Sequence, residues 1–178
     1  KVIPHNVIVY IASVPFFLAM IAFIVGIIMF WRDIGAKASD LFSIPNLIQA
    51  SKDVGKMTYM AGGGHECNYP DDNFSHGRRH AHQMTMWGFL LCFAATSVAT
   101  IYHYVFGWEA PYGYFSIPVI LGTVGGIGIV FGPIRLLMIK KKADPAPQDT
   151  KRHGMDIAFL WMLILTGITG LALLALRE

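Results

Sequence analysis

The sequence predicts an all-α fold: an integral membrane bundle of four transmembrane helices plus a short amphipathic surface helix. Two observations carry this. Of 178 residues, 54% are hydrophobic and only 14% charged, whereas a soluble domain usually carries about a quarter charged residues. The apolar residues also gather into four runs that match the length of about 20 helical residues needed to cross a hydrocarbon core of roughly 30 Å. A soluble core is excluded, because so short a chain cannot enclose four wholly apolar helices. Abundant apolar side chains and a net charge of +3 exclude intrinsic disorder. Two cysteines, Cys67 and Cys92, are too few for a disulfide scaffold or for a four-thiolate iron–sulfur cluster held by this chain alone.

The first span covers residues 7–31 and the second 84–106, both free of Asp, Glu, Lys and Arg. The third, 115–139, contains one ion, Arg135, close to its end; the fourth, 157–176, has none. Pro15, Gly26 and the glycines from Gly122 to Gly132 would punish a soluble helix, but membrane helices tolerate them. Gly122, Gly125 and Gly126 leave a smooth strip along the third span. That strip suits a close-packed helix and a flat cofactor equally. The whole chain reads as one membrane domain, residues 1–178.

Orientation follows from Lys and Arg. Arg32, Lys37, Lys52, Lys56, Arg78 and Arg79 lie between the first two spans, and Lys140, Lys141, Lys142, Lys151 and Arg152 between the last two. The positive-inside rule puts both segments in the cytoplasm and both chain ends outside. Trp31, Trp108 and Tyr112 sit at span ends, as interfacial aromatics do. The opening residues lack the short apolar run and small-residue cleavage site of a signal peptide. The start at Lys1 and the stop at Glu178 lead us to expect a piece of a longer chain.

The cytoplasmic loop, residues 32–83, is too long for a simple connection. Pro45–Asn46 followed by Leu47, Ile48, Val54 and Met57 predicts the amphipathic helix, lying at the membrane surface. Gly62, Gly63 and Gly64 then precede His65, Glu66 and Cys67. This run lacks the Gly-Lys-Ser/Thr of a phosphate loop and reads as a tight surface turn or as a docking surface for a soluble electron donor. No nucleic-acid partner is expected.

The histidines are the most informative residues. His76, His80 and His82 precede the second span, His103 lies near its other end, His5 opens the first span and His153 precedes the fourth. Ionisable groups at membrane depth are costly and usually functional. His82 and His103 lie 21 positions apart; on a helix they differ by about 60° around the axis and about 31 Å along it. One helix thus offers two imidazoles from one side, near opposite membrane faces. This suits the axial ligands of a membrane b-type cytochrome, with Arg78 and Arg79 placed to neutralise haem propionates. A transporter with a proton-relay histidine fits the same spacing. A zinc or iron site from His65, Cys67, His76, His80 and His82 is chemically possible, but its spacing matches no compact finger. No nucleophile elbow supports serine-based catalysis.

At these residues the chain resembles the tricarballylate/citrate utilisation protein B (TcuB/CitB) family, in its membrane b-type cytochrome portion. The resemblance rests on Gly62-Gly63-Gly64-x-x-Cys67-Asn68-Tyr69-Pro70, Arg78-Arg79-x-x-His82 and the run from Gly88 to Thr96. It continues through Ala99-Thr100-x-Tyr102-His103, Ala110-Pro111-Tyr112, Ser116-x-Pro118-Val119, Gly122 to Gly132, and Thr166-Gly167-x-Thr169-Gly170-Leu171. It implies an electron-transfer subunit, not a catalytic one, carrying electrons from a flavoprotein dehydrogenase to the quinone pool through haem b. It also implies iron–sulfur clusters upstream of Lys1 and a further histidine-bearing span after Glu178. His82 and His103 match the family's membrane histidines, with Arg78 and Arg79 beside them; His5 matches the start of its first span. At Gln83 the family pattern leads us to expect a histidine. The second axial ligands are expected on the further span; His153 for His82 and His5 for His103 are the substitutes within this chain. A membrane transporter or assembly subunit without a redox centre is the alternative.

Overall fold

A computed structural model describes residues 4–60, 75–142 and 153–176. The motif around Gly62–Gly64, with His65 and Cys67, lies outside the described residues. Every regular element among the described residues is helical: α1 (His5–Asp33), a 3-10 turn (Ala38–Phe42), α2 (Ile44–Lys56), α3 (Gly77–Tyr104), α4 (Ile117–Lys141) and α5 (His153–Ala175). Four are long and apolar enough to cross a membrane: Val7–Asp33, Gly77–Tyr104, Ile117–Lys141 and Gly154–Ala175. The chain divides into two compact units, Lys1–Ser51 and Lys52–Glu178.

In the first unit, α1 is apolar on every side. The consecutive residues Phe16, Phe17 and Leu18 point about 100° apart, and all are exposed. Such a helix is at home in lipid rather than in water. It ends where Gly35 takes a left-handed φ of 66° and its N–H bonds the Arg32 carbonyl at 3.2 Å, a common helix stop. Lys37 then opens the 3-10 turn, its N–H donating to the Asp40 carboxylate at 3.2 Å.

In the second unit, α3 starts seven residues before the span predicted at 84. Arg78 to Gln83 contains no helix breaker, so the helix runs past the point where apolar character ends. His80 and His82, expected ahead of the span, therefore lie on the helix itself, and the connecting segment closes at His76. The other end of α3 is Tyr104 rather than 106, because Gly107 turns the chain at a φ of 66°.

α4 is the centre of this unit, burying Gly125, Gly126, Ile129, Val130, Gly132, Pro133 and Leu136 among others. It runs antiparallel to α3, backbone against backbone. A β-carbon built on Gly88 would stand 2.7 Å from the Ile129 amide nitrogen and 2.9 Å from the Gly125 carbonyl oxygen. One on Gly128 would stand 2.8 Å from the Met84 carbonyl, and one on Gly132 2.8 Å from the Thr85 nitrogen. The smooth strip of α4 is thus filled by helices. α3 covers Gly125, while Leu171 of α5 reaches Gly126, where a β-carbon would meet it at 2.9 Å. In return, a β-carbon on Gly167 of α5 would meet Val130 at 2.7 Å. Lys140 near the end of α4 pairs with Asp156 in the first turn of α5 at 2.9 Å, an exposed pair worth about 1 kcal/mol at most.

Main-chain atoms cannot swing aside as a side-chain tip can. Gly88→Ala and Gly128→Ala should therefore each cost about 1–3 kcal/mol through overpacking, read as a lower Tm of the purified protein in detergent. Gly26→Ala, with nothing within 4 Å of the added carbon, should leave Tm unchanged or slightly raised.

Candidate functional site

The candidate ligands are set by the way α3 faces α4. Its buried residues, Ala81, Gly88 and Ala95, recur every seventh position and mark the line of contact. His82 lies one residue past Ala81, about 100° around the helix, and His103 eight past Ala95, about 80° around in the same sense. Both imidazoles therefore leave α3 from one flank, clear of α4. Phe89, Phe93, Thr96 and Thr100 occupy that flank between them by the same arithmetic. Phe89 is 59% and Phe93 64% exposed; Thr96, Thr100 and His103 are exposed too, and His82 is half-buried.

The far end of this flank is held by aromatic packing. The Tyr102 ring meets Trp108 at 4.9 Å and Tyr112 at 5.6 Å, both edge-on. The Tyr112 hydroxyl lies 3.2 Å from the carbonyl oxygens of Ala99 and Trp108, so its one proton ties the turn back onto α3. His103 stands beside this cluster with its ring edge-on to Tyr104 at 4.9 Å.

The polar groups at mid-span are satisfied within their own helices. Thr96 donates to the Cys92 carbonyl at 3.0 Å, Ser97 to Phe93 at 2.9 Å and Thr100 to Thr96 at 2.8 Å. On α5, Thr166 donates to Met162 at 2.8 Å. A transporter site is typically built from interrupted helices meeting at mid-membrane; α3, α4 and α5 are each continuous.

At the near end, the last turn of α2, which belongs to the second unit, meets α3. The carbonyl of Lys56, the last residue of α2, is one of the acceptors a helix end leaves unmet. It receives Arg79 Nε at 2.9 Å and Gln83 Nε2 at 2.9 Å. One turn further along α3, Trp87 lies against the last turn of α2: a β-carbon on Gly55 would touch its ring at 3.7 Å. Arg79, Gln83 and Trp87, spaced by four, form one stripe. Gln83, where a histidine was expected, is thus a clamp for α2. Arg79 shares that work through Nε, while its two terminal nitrogens carry four further N–H groups. Arg78 is exposed beside it.

Of the remaining histidines, His76 and His80 bring their rings to 5.9 Å. His80 leaves α3 about 200° from His82. Among the described residues no three His, Cys, Asp or Glu gather to hold a metal ion; His65 and Cys67 lie outside them. His5 is the first residue of α1 and His153 the first of α5. Because α4 is antiparallel to both α3 and α5, His153 begins its helix at the same end of the unit as His82.

The described residues define an all-α protein with four membrane-length helices, one of which carries two imidazoles on one flank. The chain belongs to the citrate utilization protein B family: the family model "CitB: Citrate utilization protein B" matches residues 1–178. Citrate utilization protein B of Escherichia coli is 42% identical over 182 residues, covering 100% of this chain and 46% of that protein. The chain therefore spans about half the length of this curated relative. No solved structure matches it.

Gln83→Leu alone should change little, because Arg79 still holds the Lys56 carbonyl. Removing both donors, as Gln83→Leu with Arg79→Leu, should cost more than the two single losses together, about 1 kcal/mol per hydrogen bond. Limited trypsin digestion checks this: cleavage at Lys52 and Lys56 should accelerate in the double variant.

Proposed function

We propose that this chain is the membrane part of an electron-transfer protein. It would carry electrons from a cytoplasmic flavoprotein dehydrogenase of tricarballylate or citrate utilisation to the quinone pool, through haem b. The observation that carries the reading is the placement of His82 and His103 on one open flank of α3, some twenty residues apart, with no polar demand between them. Membership of the citrate utilization protein B family agrees with the metabolic role.

The residues present fit the group. Imidazole nitrogen is a standard axial donor to haem iron, and the flank beside His82 and His103 is apolar and uncovered by α4. Arg78, with the terminal nitrogens of Arg79, would balance propionate charge beside His82. Bound there, haem would take up and release one electron at a time. His153, which begins α5 at the same end of the unit as His82, or a histidine outside this chain would be a further nitrogen donor to the group. The carbon chemistry belongs to the flavoprotein.

The membership also favours a bacterial inner membrane, and charge favours one orientation. Lys52, Lys56, Arg78, Arg79, Lys140, Lys141 and Lys142 belong to the end where α2 and α4 finish and α3 begins. The turn at the other end, 105–116, carries Glu109 and no Lys or Arg. By the positive-inside rule the basic end faces the cytoplasm, toward the dehydrogenase.

The test is the reduced-minus-oxidised visible spectrum of the full-length protein, expressed with haem supplied. A b-type band is expected; a well-folded preparation without one overturns the reading. His82→Ala and His103→Ala should each remove or shift part of that band, while His65→Ala should leave it intact.

A further inference from the structure

Arg135 stands within a membrane-length helix, six residues before the end of α4, and has no part in the electron-transfer reading. A guanidinium keeps its charge in any protein environment, and such a residue in a membrane helix is costly and usually functional. Arg135 is exposed, and among the described residues no acid pairs with it. Asp156 is taken by Lys140, Asp53 accepts from Thr58 at 3.1 Å, and Glu109 belongs to the turn at the other end.

The side on which Arg135 stands follows from the contact of α4 with α3. A β-carbon on Gly132 would lie 3.0 Å from the Ala81 carbonyl oxygen. Counted from this pair, Arg135 is about 60° back around α4 and His80 about 100° back around α3. In an antiparallel pair, the same sense of rotation leads to the same side. Gly77 and Ile139, both slightly back, bear this out: a β-carbon on Gly77 would meet Ile139 Cδ1 at 3.9 Å. Lys142, about 80° back, adds a cation two turns beyond Arg135. His80 and Lys142 are exposed as well. Gly126, which receives α5, points about 180° from Arg135, and His82 lies about 100° forward of Ala81. The cations therefore stand across the α3–α4 pair from α5 and from the imidazole flank.

The depth is set by the same contacts. Arg135 lies between Gly132 and Ile139, hence level with the polar start of α3. Further from this end the same side is apolar: Met84 of α3, with Val124 and Phe131 of α4, lies about 60–100° back, and all three are exposed. Cations at headgroup depth above a strip of hydrocarbon match an amphiphile with an anionic head. A guanidinium grips two phosphate oxygens at once, and basic pockets between membrane helices take phosphate headgroups. We infer that Arg135, with Lys142 and His80 beside it, holds the phosphodiester of an anionic phospholipid whose acyl chains run along Met84, Phe131 and Val124. The site needs no haem and stands whether or not one is bound.

Photolabelling tests it. The full-length protein is reconstituted in phosphatidylcholine nanodiscs holding a trace of phosphatidylglycerol with a diazirine in its acyl chain. Label on Met84, Val124 and Phe131 is counted by mass spectrometry against that from phosphatidylcholine bearing the same diazirine. An excess from phosphatidylglycerol is expected, falling about fivefold in Arg135→Gln, as for one cation lost at an anionic surface. Lys142→Gln, at the helix end, should lower it in the same direction. Lys141→Gln removes an equal charge about 120° from Arg135 around α4 and should leave the excess intact. No excess in the unaltered protein, an equal fall in the Arg135 and Lys141 variants, or unchanged label in Arg135→Gln would each overturn the inference. So would loss of the excess on adding millimolar inorganic phosphate, which would assign the cations to a free anion.

Discussion

The contact between the α3 and α4 backbones is the constraint on which the second unit depends. Gly88 on one helix and Gly125 and Gly128 on the other bring main-chain atoms to distances that no β-carbon could share. In lipid there is little hydrophobic force to press helices together, so close van der Waals fit must do so. Once that line is fixed, the rotation of α3 is fixed with it. The direction in which His82 and His103 leave the helix follows from Gly88, not from any contact the imidazoles make.

The same rotation explains the division of labour around α3. One side meets α4. A second side, at Arg79, Gln83 and Trp87, receives the end of α2. The flank bearing the two imidazoles faces neither, with His103 exposed and His82 half-buried. Two packing contacts and a separate flank thus coexist on one rod because small, polar and apolar residues repeat at helical spacing without interfering. The Tyr102–Trp108–Tyr112 cluster completes the arrangement by anchoring the far end of the helix.

Much of this was legible in the sequence. The four spans could be read because a membrane helix is a local property: length without charge is enough. The ends were harder. Counting charge starts the span at Met84, while helix propensity carries α3 back to Gly77, so the membrane-length stretch alone did not mark where the helix bearing His80 and His82 begins. The glycine strip of α4 was visible, but its occupant was not, although the seven-residue recurrence of Ala81, Gly88 and Ala95 on α3 was a usable signal. The role of Gln83 could not be seen at all. Its acceptor lies 27 positions earlier in the chain, and no local pattern reveals a partner that only folding brings near.

The hydroxyls of Thr96 and Thr100 have a consequence for whatever settles against α3. Each gives its proton to its own helix, so neither hydroxyl has a donor left to offer between the two rings. Shape and dispersion, rather than hydrogen bonds donated by the helix, would govern what packs there.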